Sequence, residues 1–201
     1  SIMLGVPYKH YTTKTLRDVQ EAYRGKTFKI TNKLNSSTKT ITIENIDIFR
    51  EGDAALFHAI KGQVNEVKPV GLINVGFRTT EASYFSVGFN FNDKLSDTIE
   101  YGNSTMLKMI KDKLLSNNIY KDVNEIDSSS DYDDDKKIAY ALGSEKINQL
   151  VEEMWINKDE MDLYLAGGTS LHLNPGDDFI KLPDAQFATA KGLFEIAKMK
   201  F

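Results

Sequence analysis

Val70–Asn92 reads VGLINVGFRTTEASYFSVGFNFN. In its first half Ile73, Val75 and Phe77 share one parity, and Leu72, Asn74, Gly76 and Arg78 take the other. After Thr79–Ser83, the second half sends Phe85, Val87, Phe89 and Phe91 to one side and Tyr84, Ser86, Gly88 and Asn90 to the other. Successive side chains of a strand point to opposite faces, so the pattern predicts a hairpin with one apolar and one polar face.

Downstream of the hairpin, Asn103 or Ser104 is placed to cap a helix whose Met106, Leu107, Ile110 and Leu114 face inward, with Ser116-Asn117-Asn118 ending it. Residues 121–137, KDVNEIDSSSDYDDDKK, are poor in apolar groups and read as an exposed acidic loop. Beyond it, Ile147, Leu150, Val151, Met154 and Trp155 follow the i, i+3, i+4, i+7, i+8 spacing of a helix that begins at Ser144. Met161, Leu163 and Leu165 alternate as a strand. It is expected to turn at Gly167-Gly168 into a second strand, Thr169–Leu173. After Pro183, the segment beyond Gly192 reads as a terminal strand.

Upstream, Thr15-x-x-Asp18 opens a short helix that places Leu16, Val19 and Tyr23 on one face, with Gly25 to stop it. Thr27–Leu34 and Thr40–Phe49 read as strands joined by the turn residues Asn35-Ser36-Ser37, with a parity slip at Glu44-Asn45. Asp53–Lys61 reads as a short helix followed by Gly62.

These elements give an α+β expectation: an antiparallel β-rich core of hairpins, with three or four helices packed on one side. The acidic stretch 121–137 is placed between a hairpin-rich lobe, residues 1–120, and a smaller helix-plus-hairpin lobe, residues 138–201, with one continuous domain as the alternative.

At 201 residues, 41% hydrophobic and 27% charged, the chain can bury a sizeable core. It has no run of apolar residues long enough for a membrane helix and lacks the form of a signal peptide. Its N-terminal serine fits removal of an initiator methionine, and so a complete chain. Without cysteine there is no disulfide, thiolate ligand or cysteine nucleophile.

Chemistry is hard to find. Gly167-Gly168-Thr169-Ser170 lacks the lysine and following helix of a phosphate loop and reads as turn chemistry. Asp131-Tyr132-Asp133-Asp134-Asp135 imitates the start of a calcium loop, but Lys136 stands where the sharp turn needs glycine and Leu142 where a bidentate Glu belongs. His10, His58 and His172 have no partner at metal-ligand spacing; His58 reads as a core or edge residue and His172 as facing water. No Gly-x-Ser-x-Gly elbow occurs. Glu152-Glu153 read as a wet helix face, and Asp177-Asp178 as part of a turn. The expectation is therefore a non-enzymatic chain with no catalytic residue, metal or cofactor.

Charge is distributed unevenly. Residues 1–40 carry +6 and the remainder −10. Lys9, Lys14, Arg17, Arg24, Lys26, Lys29 and Lys33, interleaved with Tyr8, His10, Tyr11 and Tyr23, form a basic stretch suited to an acidic partner surface or to phosphates. Hairpins, sheet edges and complementary charge together point to a structural protein of a symmetric assembly. The setting expected is a virus or tailed-phage particle (capsid, connector or tail), built in the host cytoplasm from copies of itself and other particle proteins, with no membrane contact. The alternative is a cytoplasmic nucleic-acid-binding or regulatory module that uses the basic segment.

Overall fold

The computed structural model describes residues 1–60 and 67–201. Lys61 and Gly62, expected to end the second helix, lie outside the described residues. In chain order the elements are β1 (Ile2–Val6), α1 (Thr13–Tyr23), β2 (Thr27–Thr31), β3 (Thr38–Thr42), β4 (Ile46–Arg50) and α2 (Glu51–Ile60). Then come β5 (Val70–Val75), β6 (Thr80–Ser86), β7 (Asn90–Ile99), α3 (Asn103–Ser116), α4 (Val123–Ser128) and α5 (Asp133–Met154). β8 (Asp162–Ala166), β9 (Phe179–Lys181) and α6 (Ala188–Lys200) complete the chain.

The organising element is a five-stranded sheet in the order β7-β6-β5-β8-β9. The expected hairpin forms its antiparallel half: β5 pairs with β6, bringing Ile73 opposite Ala82, and β6 pairs with β7. The other half is parallel, β5 with β8 and β8 with β9. A separate parallel pair joins β1 to β4, and an antiparallel ribbon joins β2 to β3.

This mixed sheet corrects the expected antiparallel core of hairpins with helices on one side. All six residues of β5 are buried, because helices cover both faces. On one face Ile73, Val75, Ala82, Tyr84, Leu163 and Leu165 pack with Met106, Leu107 and Ile110 of α3 and with Ile147 and Val151 of α5. On the other, Val70, Leu72, Phe85 and Ala166 pack with Ala55 and Leu56 of α2 and with Leu182, Ala185 and Ala188 around the start of α6. A strand buried on both faces has no polar side for alternation to reveal, which is the signature of parallel sheets.

Local readings shift for related reasons. The first turn spans Gly76–Thr79, and the second lies at Val87-Gly88-Phe89, where Gly88 and Phe89 have φ of 81° and 64°. The phenylalanines read as one strand therefore lie on two: Phe85 faces Phe91 across the ladder and stacks on Phe89 at 4.7 Å. The expected loop instead holds α4, a 3-10 turn at Ser130–Tyr132 and the start of α5, with Asp122 capping α4 through the amides of Asn124 and Glu125. The five-stranded sheet draws strands from both sides of that stretch. The segment beyond Gly192 is helical and the segment Gly168–His172 is a 3-10 turn, where strands were expected. Leu193, Ile196 and Ala197 recur at helical spacing, and that period outweighs the glycine.

Candidate functional site at the carboxyl ends of β5 and β8

The chain leaves β5 toward β6 on one side and β8 toward β9 on the other, so connections diverge from a crevice at the carboxyl ends of two adjacent parallel strands. Ligands of open α/β sheets bind at such a point. Here β5 runs into the turn Gly76-Phe77-Arg78-Thr79, closed by the Gly76 amide donating to the Thr79 carbonyl at 2.9 Å. The Gly76 carbonyl accepts from the Asn103 amide at 3.1 Å and from Thr169 Oγ1 at 2.9 Å, and the Phe77 carbonyl accepts from the Ser104 amide at 2.8 Å. The turn is thus clamped between the start of α3 and the segment after β8.

β8 ends in Gly167-Gly168. Gly167 has φ of 90°, and an added Cβ would lie 2.7 Å from the Val75 carbonyl carbon, nearer still to its oxygen, and 2.9 Å from Asn74 Oδ1. Only glycine fits there. At Gly168 the space is open, with Gln186 Cγ at 3.6 Å as the nearest neighbour. The chain then winds through Thr169 and Ser170 to His172, whose ring stacks on Tyr140 of α5 with centroids 4.8 Å apart and planes 12° from parallel. Tyr140 donates to Asn103 Oδ1 at 3.1 Å, and burial raises its phenol above the ordinary range, with Asp127 adding to the effect. A groove of about 590 Å³ opens beside this pair, lined by Lys137, Ser144, Glu145, Asn148 and Asn174. A second groove, also about 590 Å³, borders the β5 turn and carries Arg78, Lys108, Ser104 and Thr105.

Below the crevice, on the sheet face that α2 covers, lies a set of carboxylates. Glu81 is 3% exposed and accepts from the Tyr8 amide at 2.6 Å, from Asn74 Nδ2 at 3.2 Å and from the Gly52 backbone. Burial raises its carboxyl above the usual range; burial and the charge of Glu81 raise Glu51 as well. Asp53 is pushed up to about 6 by burial, against the pull of Arg50, with which it forms an ion pair. Its Oδ1 has no hydrogen-bond partner among the described residues. Gly167 abuts Asn74, Asn74 donates to Glu81, and the charge of Glu81 acts on Glu51.

Between about pH 6 and the ordinary aspartate range near 3.8, folded Asp53 holds a proton that the unfolded chain has lost. Its stabilisation is complete below the unfolded pKa and is lost as pH rises through about 6. A shift of roughly two units corresponds to on the order of 3 kcal/mol at most. Thermal melts from pH 7.5 down to 5 are expected to show a rising midpoint attributable to this group. Asp53→Asn should flatten that rise, and an unchanged slope in the variant would refute the assignment.

The basic residues singled out from the sequence do not converge on this crevice. Lys9 is held by Asp97 at 2.7 Å and the Thr98 carbonyl at 2.9 Å; Arg24 donates to the Glu44 carbonyl at 3.2 Å; Arg17 stands 4.0 Å from Glu21. Lys14 is exposed on α1, while Lys26, Lys29 and Lys33 line the β2–β3 ribbon, and these four make no ion pair among the described residues. His58 reaches Glu195 on α6 at 2.9 Å. The acids 131–135 sit in a 3-10 turn and the first turn of α5, where Asp133, Asp134 and Asp135 pair with Lys136, Lys137 and Lys113. Among the described residues no cluster of three metal-ligating side chains occurs. What the sequence reading missed is Gly167-Gly168, taken as a hairpin turn because Leu171-His172-Leu173 alternates like a strand. A usable signal was present in small residues directly after an apolar strand.

No protein-family model matches the sequence, and no curated protein does. Solved structures do match. The archaeal actin homologue Ta0583 superposes with a TM-score of 0.81 at 16% identity, covering 97% of this chain and 69% of that one. Its complex with ADP gives 0.74 at 17%, covering 97% and 70%. A 15-stranded ParM filament from Clostridium botulinum gives 0.83 at 20%, covering 98% and 66%. These matches overturn the expectation of a virus or phage capsid, connector or tail component, and the virion location falls with it. Nothing in them supports particle proteins or nucleic acid as partners. No described helix is long and apolar enough to cross a membrane. The chain has the actin-like fold.

Proposed function

We propose that this chain binds an adenine nucleotide at the carboxyl ends of β5 and β8 and assembles with copies of itself into a filament. The observation that carries the reading is the crossing at these strand ends, where the segment after the open Gly168 ties its Thr169 to the Gly76 turn and carries His172 onto Tyr140 at the mouth of a groove. An aromatic-walled groove takes a planar base, and bare backbone at strand ends lets phosphates approach closely. The ADP complex of Ta0583 and the ParM filament support the two halves of the proposal. The base lies against the stacked rings, with Ser144, Glu145, Asn148 and Asn174 available to its polar edge. The phosphates follow Gly168, and the far end approaches Asn74 and the carboxylates beneath it. Slow nucleotide hydrolysis is part of the proposal, in place of the non-enzymatic expectation.

Calorimetric titration with ADP and ATP tests the binding half. Removing the stacking ring in His172→Ala is expected to weaken affinity by about tenfold, since one base–aromatic stack contributes roughly 1–3 kcal/mol. Absence of binding at millimolar nucleotide would refute the reading. Light scattering and pelleting with and without nucleotide test the assembly half, and phosphate release tests turnover.

A further inference from the structure

The β2–β3 ribbon is the least covered part of the fold. All ten of its strand residues are exposed. Its register puts Phe28 opposite Ile41 and Ile30 opposite Lys39 on one face, and a threonine ladder around Lys29 on the other. That ladder is tied by Thr27–Thr42 and Thr31–Thr38 hydrogen bonds of 2.9 and 3.1 Å. Phe28, Ile30 and Ile41 are 41%, 53% and 45% exposed, and Leu34 at the tip is 97% exposed. A two-stranded ribbon is marginal alone in water, and one with an uncovered apolar face gains from being covered. The ribbon is also uniformly basic: from Ala22 to Ile43 the chain holds Arg24, Lys26, Lys29, Lys33 and Lys39 and no acid.

A surface of matching character lies elsewhere on the same molecule. The outward stripe of α5 presents Asp134, Ile138, Leu142, Glu145 and Glu153, spaced by three, four or eight residues so that they share a face, and Ile156 follows just past the helix end. Ile138, Leu142 and Ile156 are 60%, 43% and 99% exposed. Apolar and acidic groups share that stripe, and on the ribbon Lys39 lies beside Phe28, Ile30 and Ile41. The helix is about 33 Å long and each ribbon strand about 17 Å, so the stripe accommodates the ribbon with room to spare.

We propose that the β2–β3 ribbon of one copy docks on the α5 stripe of the next. This inference rests on the assembly reading above and names its contact. Donor and acceptor are different patches, so the contact is heterologous and propagates as an open chain. Glu145 belongs both to the stripe and to the nucleotide groove, which places docking beside the bound base.

The test uses the full chain with ADP or ATP, read by pelleting and light scattering, with circular dichroism to confirm folding. The double variant Lys33→Glu, Lys39→Glu should raise the concentration needed for assembly at least tenfold. So should Ile138→Lys with Glu153→Lys. Neither set touches the groove, so nucleotide titration should be unchanged in both. Mixing the two variants should restore assembly as an alternating chain, because each reversed patch meets its complement. Wild-type assembly that the ribbon variant shares would overturn the inference and leave the filament reading intact. Failure of the wild type to assemble would sink both. A ribbon variant that fails to assemble and is not rescued by mixing would rule out α5 as the acceptor. Single-stranded DNA binding lost in the ribbon variant, with assembly untouched, would assign the ribbon to nucleic acid instead.

Discussion

Replacing Gly192 with alanine is expected to destabilise the fold by on the order of 4 kcal/mol, at the upper end of single-residue effects. Gly192 lies on α6 where it crosses α2. An added Cβ would stand 3.1 Å from Ala54 Cα and far closer to the Ala54 carbonyl. The obstacle is backbone, so no side-chain rotation relieves it, and the two helices must part. Ordinary overpacking of a core costs about 1–3 kcal/mol because rotamers share the strain. Here the separation also loosens Ala188, buried against Leu56 and Ala55, and the His58–Glu195 and Thr189–Glu51 contacts that tie α6 to α2. For a chain of this length the expected fall in melting temperature is roughly 10 °C. Thermal or urea unfolding measures it, and a loss below about 1 kcal/mol would mean that the helices do not approach this closely.

The same glycine shows where the sequence stops being legible. From the residues alone, Gly192 argues against a helix, since glycine weakens helix interiors. What it permits, the contact with Ala54, is a property of an element 138 residues away. The β5–β6 hairpin was readable because its partners are neighbours in sequence and its turn is short. The β5–β8 pairing was not, because parity reports which face a residue takes and not which strand lies alongside. Met161, Leu163 and Leu165 announced a strand, but nothing local said that it runs parallel to Val70–Val75. The long helix was visible from Ile147 to Met154. Its first turns were hidden because Asp133, Asp134 and Asp135 look like loop residues, although acids suit the positive end of a helix dipole. The candidate site suffered most. His172 is exposed, as its sequence suggests, but only the 3-10 turn after Gly168 brings its ring onto Tyr140. Glu81 sat unnoticed among the polar residues of a hairpin, although it is one of the most buried carboxylates described.

The second large effect concerns nucleotide binding. Gly167→Ala is expected to abolish measurable ADP binding, a loss of at least a hundredfold, while leaving most of the fold in place. Two costs coincide. The backbone, at φ 90° and ψ 157°, is in a region nearly confined to glycine that costs alanine roughly 1–3 kcal/mol, and the new Cβ meets the Val75 carbonyl and Asn74 Oδ1. The cheapest relief moves the β8 exit away from β5, which breaks the Thr169 hydrogen bond to Gly76 and the Ser170 bond to Gly167 and shifts His172 from Tyr140. Leu163 and Leu165, earlier in β8, stay buried, so the melting temperature should fall by only a few degrees. Gly168→Ala provides the contrast, because its Cβ meets nothing nearer than Gln186 Cγ at 3.6 Å. It should fold as well as the parent, and any loss of affinity then reports a phosphate that needs the space above Gly168. Were Gly168→Ala to bind ADP like the parent while Gly167→Ala did not, the turn would matter for its shape alone. The phosphates would then have to lie on the Gly76 side of the crevice, nearer Arg78.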